Sequence, residues 1–241
     1  MRLIGVGVGP GDPELLTLQA IRLLNEAKRI FVPVLSLDEC GRAEATLTGH
    51  VDGERIERLV FALNERTDAS RRERHWDAAG ERIAAWLAET GGTAAFATIG
   101  DPNIYSTFSY LAATVRELLP GVTVETVPGI TAMQALSVAS GVPLVEGSEP
   151  LVLVPLARGA GGLREALAYA GHGTVVAYKG GRHLAEVVTE VSRAERLEDT
   201  VLGSHLGLPD EKVTALSAVD EAPYLSAVLI PARRAQRGGA I

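Results

Sequence analysis

Residues 3–27 read LIGVGVGPGDPELLTLQAIRLLNEA, and the change of rhythm inside that stretch decides the fold class. Leu3 to Val8 is apolar with β-branched residues, the pattern of a buried strand. Gly9, Pro10, Gly11, Asp12 and Pro13 break the run, and from Glu14 to Ala27 the apolar residues recur at helical spacing. Strand, loop and helix in that order open a parallel α/β unit. Asp12 and Pro13 suit the N-cap and first position of the helix, while Thr17 suits the cap of a helix that starts one turn later.

Working outward, Ile30 to Val34 reads as a second strand ending near Pro33, and Ile56 to Leu63 as a third. Between Trp76 and Ala88, the residues Ala79, Ile83, Trp86 and Leu87 share one helical face, and Thr93 to Thr98 is short and β-like. After Gly100-Asp101-Pro102, Tyr105 to Leu119 is helix-like, and Val122 to Val127 makes a fifth strand before Pro128-Gly129. Strands alternating with helices predict a parallel sheet covered on both faces.

Beyond a helix-like segment at Thr131 to Ser140 the strand pattern restarts at Leu151–Val154, Thr174–Tyr178, Thr200–Gly203, Val213–Leu216 and Leu225–Ile230. The last of these are joined too closely for a crossover helix, so antiparallel pairing is expected there. The chain therefore divides into an N-terminal α/β domain over 1–130, a C-terminal α/β domain with a mixed sheet over 131–231, and a flexible tail over 232–241.

Composition narrows the function. Among 241 residues, 23 Lys and Arg stand against 30 Asp and Glu, and the net charge of -7 disfavours a phosphate backbone as partner. Cys40, the lone cysteine, excludes an internal disulfide and any zinc cage of paired thiolates, and no other metal site is expected. Apolar runs stay short of the roughly 18 residues that span a bilayer, and the start MRLIGVGVG has no long signal-peptide core, so no membrane partner and a cytoplasmic location are expected.

The glycine-rich first loop invites a dinucleotide reading, but G-x-G-x-x-G fails in both frames, at Pro10 and at Asp12. There is also no phosphate-loop lysine motif, no G-x-S-x-G elbow and no H-E-x-x-H pair. What remains are three loops that each follow a strand: Gly7 to Pro13, Ile99 to Tyr105, and Pro128 to Thr131. Ligands of parallel sheets collect at such positions, where glycines let backbone approach closely.

Those loops, as Gly7-x-Gly9-Pro10-Gly11-Asp12, Gly100-Asp101-Pro102 and Pro128-Gly129-Ile130-Thr131-Ala132, resemble the signature of the tetrapyrrole methylase family in order and spacing. The resemblance runs from Leu3 to Pro231 and implies that family's architecture: an N-terminal five-stranded parallel sheet, a C-terminal mixed five-stranded sheet, and S-adenosyl-L-methionine held folded between them. Within the family, IGDPNIYSTFSYL, Leu144 to Gly147, Tyr178-Lys179-Gly180-Gly181-Arg182, and the Asn64 to Trp76 segment with Asp68 and Arg72 look most like the precorrin-2 C(20)-methyltransferases of cobalamin biosynthesis. It also implies a homodimer.

Carried over residue by residue, the resemblance puts Pro10, Gly100, Asp101, Pro102, Ile104, Tyr105, Thr131, Ala132, Tyr178 and Gly207 around the cofactor. Tyr178 departs from the methionine frequent in relatives, adding a hydroxyl. Asp101 suits either the cationic cofactor or a cap on the following helix. The implied substrate is a polycarboxylate tetrapyrrole, for which Lys179, Arg182 and Arg72 are candidate partners, with Arg71 and Arg74 beside the last. Methylating a carbon also releases a proton; Tyr105 and His205 both have a suitable group, and the sequence singles out neither. No residue pattern separates metal-free precorrin-2 from its cobalt complex. Rival readings are a methylase of the same fold acting on another tetrapyrrole, on ribosomal RNA or on a translation factor, and a non-catalytic ligand-binding module.

Overall fold

The computed structural model describes residues 1–61, 69–157, 159–223 and 225–234. The chain forms two compact units, Met1–Thr131 and Ala132–Ile241.

In the first unit the order is β1 (Arg2–Gly7), α1 (Leu18–Glu26), β2 (Arg29–Val34), α2 (Arg42–Leu47), β3 (Ile56–Val60), α3 (Ala69–Thr90), β4 (Thr93–Thr98), α4 (Phe108–Leu118) and β5 (Thr123–Val127). The strands lie in the order β3-β2-β4-β1-β5, every neighbouring pair parallel, as the alternation of strand and helix predicts. Alternate side chains serve opposite faces. Ile4, Val6, Ala95 and Ala97 pack against Ala20, Leu24 and Leu47 of α1 and α2. Leu3, Ala94 and Phe96 pack against Ile83, Leu87, Phe108 and Leu111 of α3 and α4.

Both candidate caps of the opening helix are used. Asp12 Oδ1 accepts the Glu14 N–H at 2.8 Å to start a single 3-10 turn over Pro13–Leu15, and Thr17 Oγ1 accepts the Ala20 N–H at 3.1 Å to start α1. Pro33 is accommodated inside the sheet because the β2–β4 ladder stops at Phe31 opposite Phe96. Val34 offers its carbonyl to Phe61 N–H on the β3 side at 2.8 Å, so Pro33, pointing the other way, has no ladder bond to lose. The third strand ends at Val60, short of the predicted Leu63, and residues 62–63, like Asn64 and Asp68, lie outside the described residues. The helix expected from Tyr105 begins only at Phe108. Tyr105 has φ of 50°, which cannot continue a helix, and Ser106 Oγ takes the Phe108 N–H at 3.2 Å.

The second unit runs α5 (Ala132–Ser140), β6 (Leu151–Pro155), α6 (Gly161–Ala170), β7 (Thr174–Tyr178), α7 (Leu184–Arg193), β8 (Val201–Ser204), β9 (Lys212–Ala215) and β10 (Ser226–Ile230). Its sheet has the order β6-β7-β10-β8-β9. Only β6 and β7, joined through α6, are parallel; the pairs β7–β10, β10–β8 and β8–β9 are antiparallel. This is the mixed sheet expected from the short late connections. Helices α6 and α7 cover one face through Leu163, Leu167, Val187 and Val191, and α5 covers the other through Leu136 against Val176 and Leu229.

Residues 232–234, read from the sequence as the start of the tail, are held against the unit. Ala232 N–H donates to Thr174 Oγ1 at 3.0 Å, Arg233 N–H to the His172 carbonyl at 2.9 Å, and the Arg234 guanidinium clamps Glu149 at 2.8 Å through two nitrogens. That guanidinium holds the Glu149 carboxyl below its ordinary range. Buried Arg196 adds a second tie, donating to the carbonyls of Gly173, Ile230 and Pro231.

Candidate functional site

The loops after β1, β4 and β5 are closed on one another by backbone. Just past the parallel pairing of β1 and β4, Gly9 and Gly100 exchange hydrogen bonds as an antiparallel bridge, Gly100 N–H to the Gly9 carbonyl at 2.8 Å and Gly9 N–H to the Gly100 carbonyl at 3.4 Å. Gly9 and Gly100 have φ of 78° and 70°, a conformation that favours glycine. A Cβ on Gly129 would stand 2.0 Å from the Gly100 carbonyl oxygen, and one on Gly7 would stand 2.6 Å from both that oxygen and Gly129 N. Gly7 and Gly129, absent from the residues carried over by resemblance, are thus the packing centre of the three loops. Their signal in the sequence was a glycine next to each strand end. A Cβ on Gly100 itself would meet nothing within 4 Å, so this knot leaves one backbone side open.

Asp101 ties the knot further. Its Oδ1 accepts the Asn103 N–H at 2.8 Å and its Oδ2 accepts the Gly129 N–H at 3.1 Å, so the carboxylate bridges the β4 and β5 loops. It caps neither α4 nor any other described helix. Pro10 and Pro102 are buried, Ile104 is half-buried, and Tyr105 is 40% exposed with its phenol pKa raised by partial burial. Thr131 is buried at the end of the β5 loop. Arg72 is half-buried in the first turns of α3, with Arg71 and Arg74 exposed beside it.

In the second unit, the sheet register gathers the other candidates at one end. Ala227 of β10 pairs with Tyr178 on one side and Gly203 on the other, so the segments leaving β7 and β8 emerge together, flanking the start of β10. Lys179 N–H donates to the Ser226 carbonyl at 3.1 Å there. The Tyr178 hydroxyl accepts the Met133 N–H at 3.2 Å in the first turn of α5, giving the extra hydroxyl a structural partner, and Ala132 at the start of α5 is half-buried. Gly207 has φ of 74° and donates its N–H to Glu211 Oε2 at 2.7 Å, while His205 Nδ1 contacts Asp210 Oδ2. Arg182 is exposed in the 3-10 turn Gly181–His183 that follows Lys179.

These features suit a ligand of mixed character such as S-adenosyl-L-methionine. The first unit offers glycine-lined backbone and one carboxylate for a cationic group, and the second offers the half-buried Ala132 and Tyr178. Among the described residues no group of three or more His, Cys, Asp and Glu side chains is placed to hold a metal ion, and no helix is long and apolar enough to cross a membrane.

Comparison with known proteins agrees with this layout. The family model described as Tetrapyrrole (Corrin/Porphyrin) Methylases matches residues 2–220. A Methanocaldococcus jannaschii protein named probable cobalt-precorrin-2 C(20)-methyltransferase is 40% identical over 154 residues, which is 64% of each chain. The precorrin-2 C(20)-methyltransferase of a Sinorhizobium species is 32% identical over 239 residues, covering 95% of both chains. Among solved structures, the uroporphyrin-III C-methyl transferase of Thermus thermophilus complexed with S-adenyl homocysteine superposes with a TM-score of 0.65 at 24% identity, covering 95% of this chain and 97% of that one.

Proposed function

The chain belongs to the tetrapyrrole methylase family, and from that premise we propose that it transfers a methyl group from S-adenosyl-L-methionine to carbon 20 of precorrin-2 or cobalt-precorrin-2 in cobalamin biosynthesis. The observation that carries the reading is the knot of Gly7, Gly9, Gly100, Asp101 and Gly129, which ties three post-strand loops to one another. Bound there, S-adenosyl-L-methionine supplies an electrophilic methyl group.

The chain's own task is positioning. Pro10, Gly100, Asp101, Pro102, Ile104, Tyr105 and Thr131 of the first unit, with Ala132, Tyr178 and Gly207 of the second, are the proposed cofactor contacts. Orientation of two reactants is worth roughly 7 to 11 kcal/mol of barrier, so an electron-rich macrocycle carbon needs little beyond alignment and exclusion of water. Lys179, Arg182 and Arg72 are the proposed partners of the substrate carboxylates, because charge-assisted bonds to carboxylates are the strong and directional ones. A cytoplasmic location and a homodimer complete the proposal, twofold pairs being the commonest assembly.

The test is to incubate the protein with precorrin-2 and, separately, with its cobalt complex, each with S-adenosyl-L-methionine labelled at the methyl carbon, and to locate the label by NMR. Label at carbon 20 supports the reading and identifies the preferred form. Label at another carbon, or none in either macrocycle, overturns it. Light scattering across micromolar concentrations tests the dimer.

A further inference from the structure

We propose that His205, oriented by Asp210, accepts the proton released by methylation, a role that rests on the reading of the chain as a precorrin-2 C-methyltransferase. The first observation is placement. His205 directly follows β8, and Lys179 directly follows β7, at the same end of the sheet on either side of the start of β10. The proton acceptor therefore shares a sheet end with the proposed cofactor residue Tyr178 and substrate residue Lys179.

The second observation is conformation. Four described residues other than glycine have left-handed φ: Tyr105 at 50°, Lys179 at 63°, Glu195 at 55° and His205 at 53°. Glu195 belongs to the turn that closes the C-terminus of α7, where its N–H bonds the Ser192 carbonyl at 2.9 Å. The other three sit in loops already proposed to meet ligand, and such conformations persist where the surroundings over-determine them. Around His205 the determination is explicit. Leu208 N–H bonds the His205 carbonyl at 2.9 Å, Glu211 N–H bonds the Leu208 carbonyl at 2.9 Å, and Glu211 returns to hold Gly207.

The third observation is the ring's partner. Asp210 lies against Nδ1; an ionised carboxylate only accepts, so this pairing favours the tautomer with the proton on Nδ1 and the lone pair on Nε2, the arrangement that makes an imidazole a directed base. In the reaction the substrate carbon donates an electron pair to the methyl carbon as the S–CH3 bond breaks and its electrons stay on sulfur, leaving one positive charge on the macrocycle. The carbon's C–H bond then breaks, its electrons return to the macrocycle, and the proton passes to His205 Nε2. Asp210 balances the imidazolium.

The experiment uses the full chain, methyl-labelled S-adenosyl-L-methionine and precorrin-2. His205→Asn keeps a side chain that tolerates left-handed φ and can still bond Asp210, but it cannot take a proton. His205→Gly removes the ring without backbone strain and leaves room for added imidazole. Both variants are expected to bind S-adenosylhomocysteine within about twofold of wild type while label transfer to carbon 20 falls about 100-fold or more, the scale of general-base catalysis. Imidazole should restore transfer in His205→Gly and not in His205→Asn. Transfer within about threefold of wild type in both variants, or loss that tracks weakened S-adenosylhomocysteine binding, overturns the base role alone. A wild-type protein that labels neither form of precorrin-2 instead overturns the substrate reading, and the base role with it.

Discussion

The two units close their candidate loops by different means. In the first, backbone meets backbone: Gly9 bridges Gly100, and Gly129 lies so near the Gly100 carbonyl that no side chain fits between them. In the second, side chains do the closing, with the Tyr178 hydroxyl on Met133 N–H, Glu211 on Gly207 N–H and Asp210 on His205. Backbone closure leaves little room for variation at Gly7 and Gly129, where an added Cβ collides with backbone. Side-chain closure instead hangs on single polar groups, such as the Tyr178 hydroxyl, that a substitution can remove without a backbone collision.

Four substitutions can break or sharpen that contrast. Gly129→Ala should cost most, about 3 kcal/mol, because the added methyl meets backbone that cannot rotate away. Urea unfolding reads it, and a loss under about 0.5 kcal/mol would mean the knot is loose. Asp101→Asn comes next. An amide can keep the Asn103 N–H on its oxygen, but it turns an NH2 toward Gly129 N–H, so a loss of about 2 kcal/mol is expected. S-adenosylhomocysteine affinity should fall in parallel, measured by calorimetric titration; an Asn variant with unchanged stability and affinity would remove Asp101 from both roles.

Tyr178→Phe tests the side-chain mode and should cost about 1 kcal/mol, the worth of one neutral hydrogen bond, with faster hydrogen exchange at the Met133 amide. Equal or greater loss than at Gly129 would erase the distinction between the units. The smallest effect is expected at Glu190, where hydrogen bonds from Arg164 and then Arg193 hold the carboxyl at about 2 instead of the ordinary 4.5. Its folded pKa is depressed, so its contribution is complete above about 4.5 and is lost as pH falls toward about 2. Arg164→Gln should raise the Glu190 midpoint, followed by carboxyl NMR titration, with little change in stability at neutral pH.

Much of this arrangement was legible in residue order. The strands from Leu3, Ile30, Thr93 and Thr174 are short apolar runs, and each of the three glycine loops directly follows a strand. The structural work of Asp101 was not legible. A helix cap and a cofactor contact were the alternatives, yet its two oxygens hold N–H groups in two different loops, one of them 28 residues away. The anchoring of 232–234 was equally hidden, since the partners Thr174, His172 and Glu149 are remote in sequence. Residue order leaves His205 and Tyr105 level as groups that could take a proton, and only the left-handed turn and the Asp210 contact distinguish His205.

Local order determined what depends on neighbours along the chain: strand and helix periods, the caps at Asp12 and Thr17, the parallel first sheet, and the antiparallel pairing that short connections force on the second. Tertiary structure alone decided which loops touch, why Gly7 and Gly129 tolerate no Cβ, and which sheet end carries Tyr178, Lys179 and His205 together. The reason is physical: periodicity and capping are set by bonds three or four residues apart, whereas close approach and register are set by strands that meet only once the sheet is built.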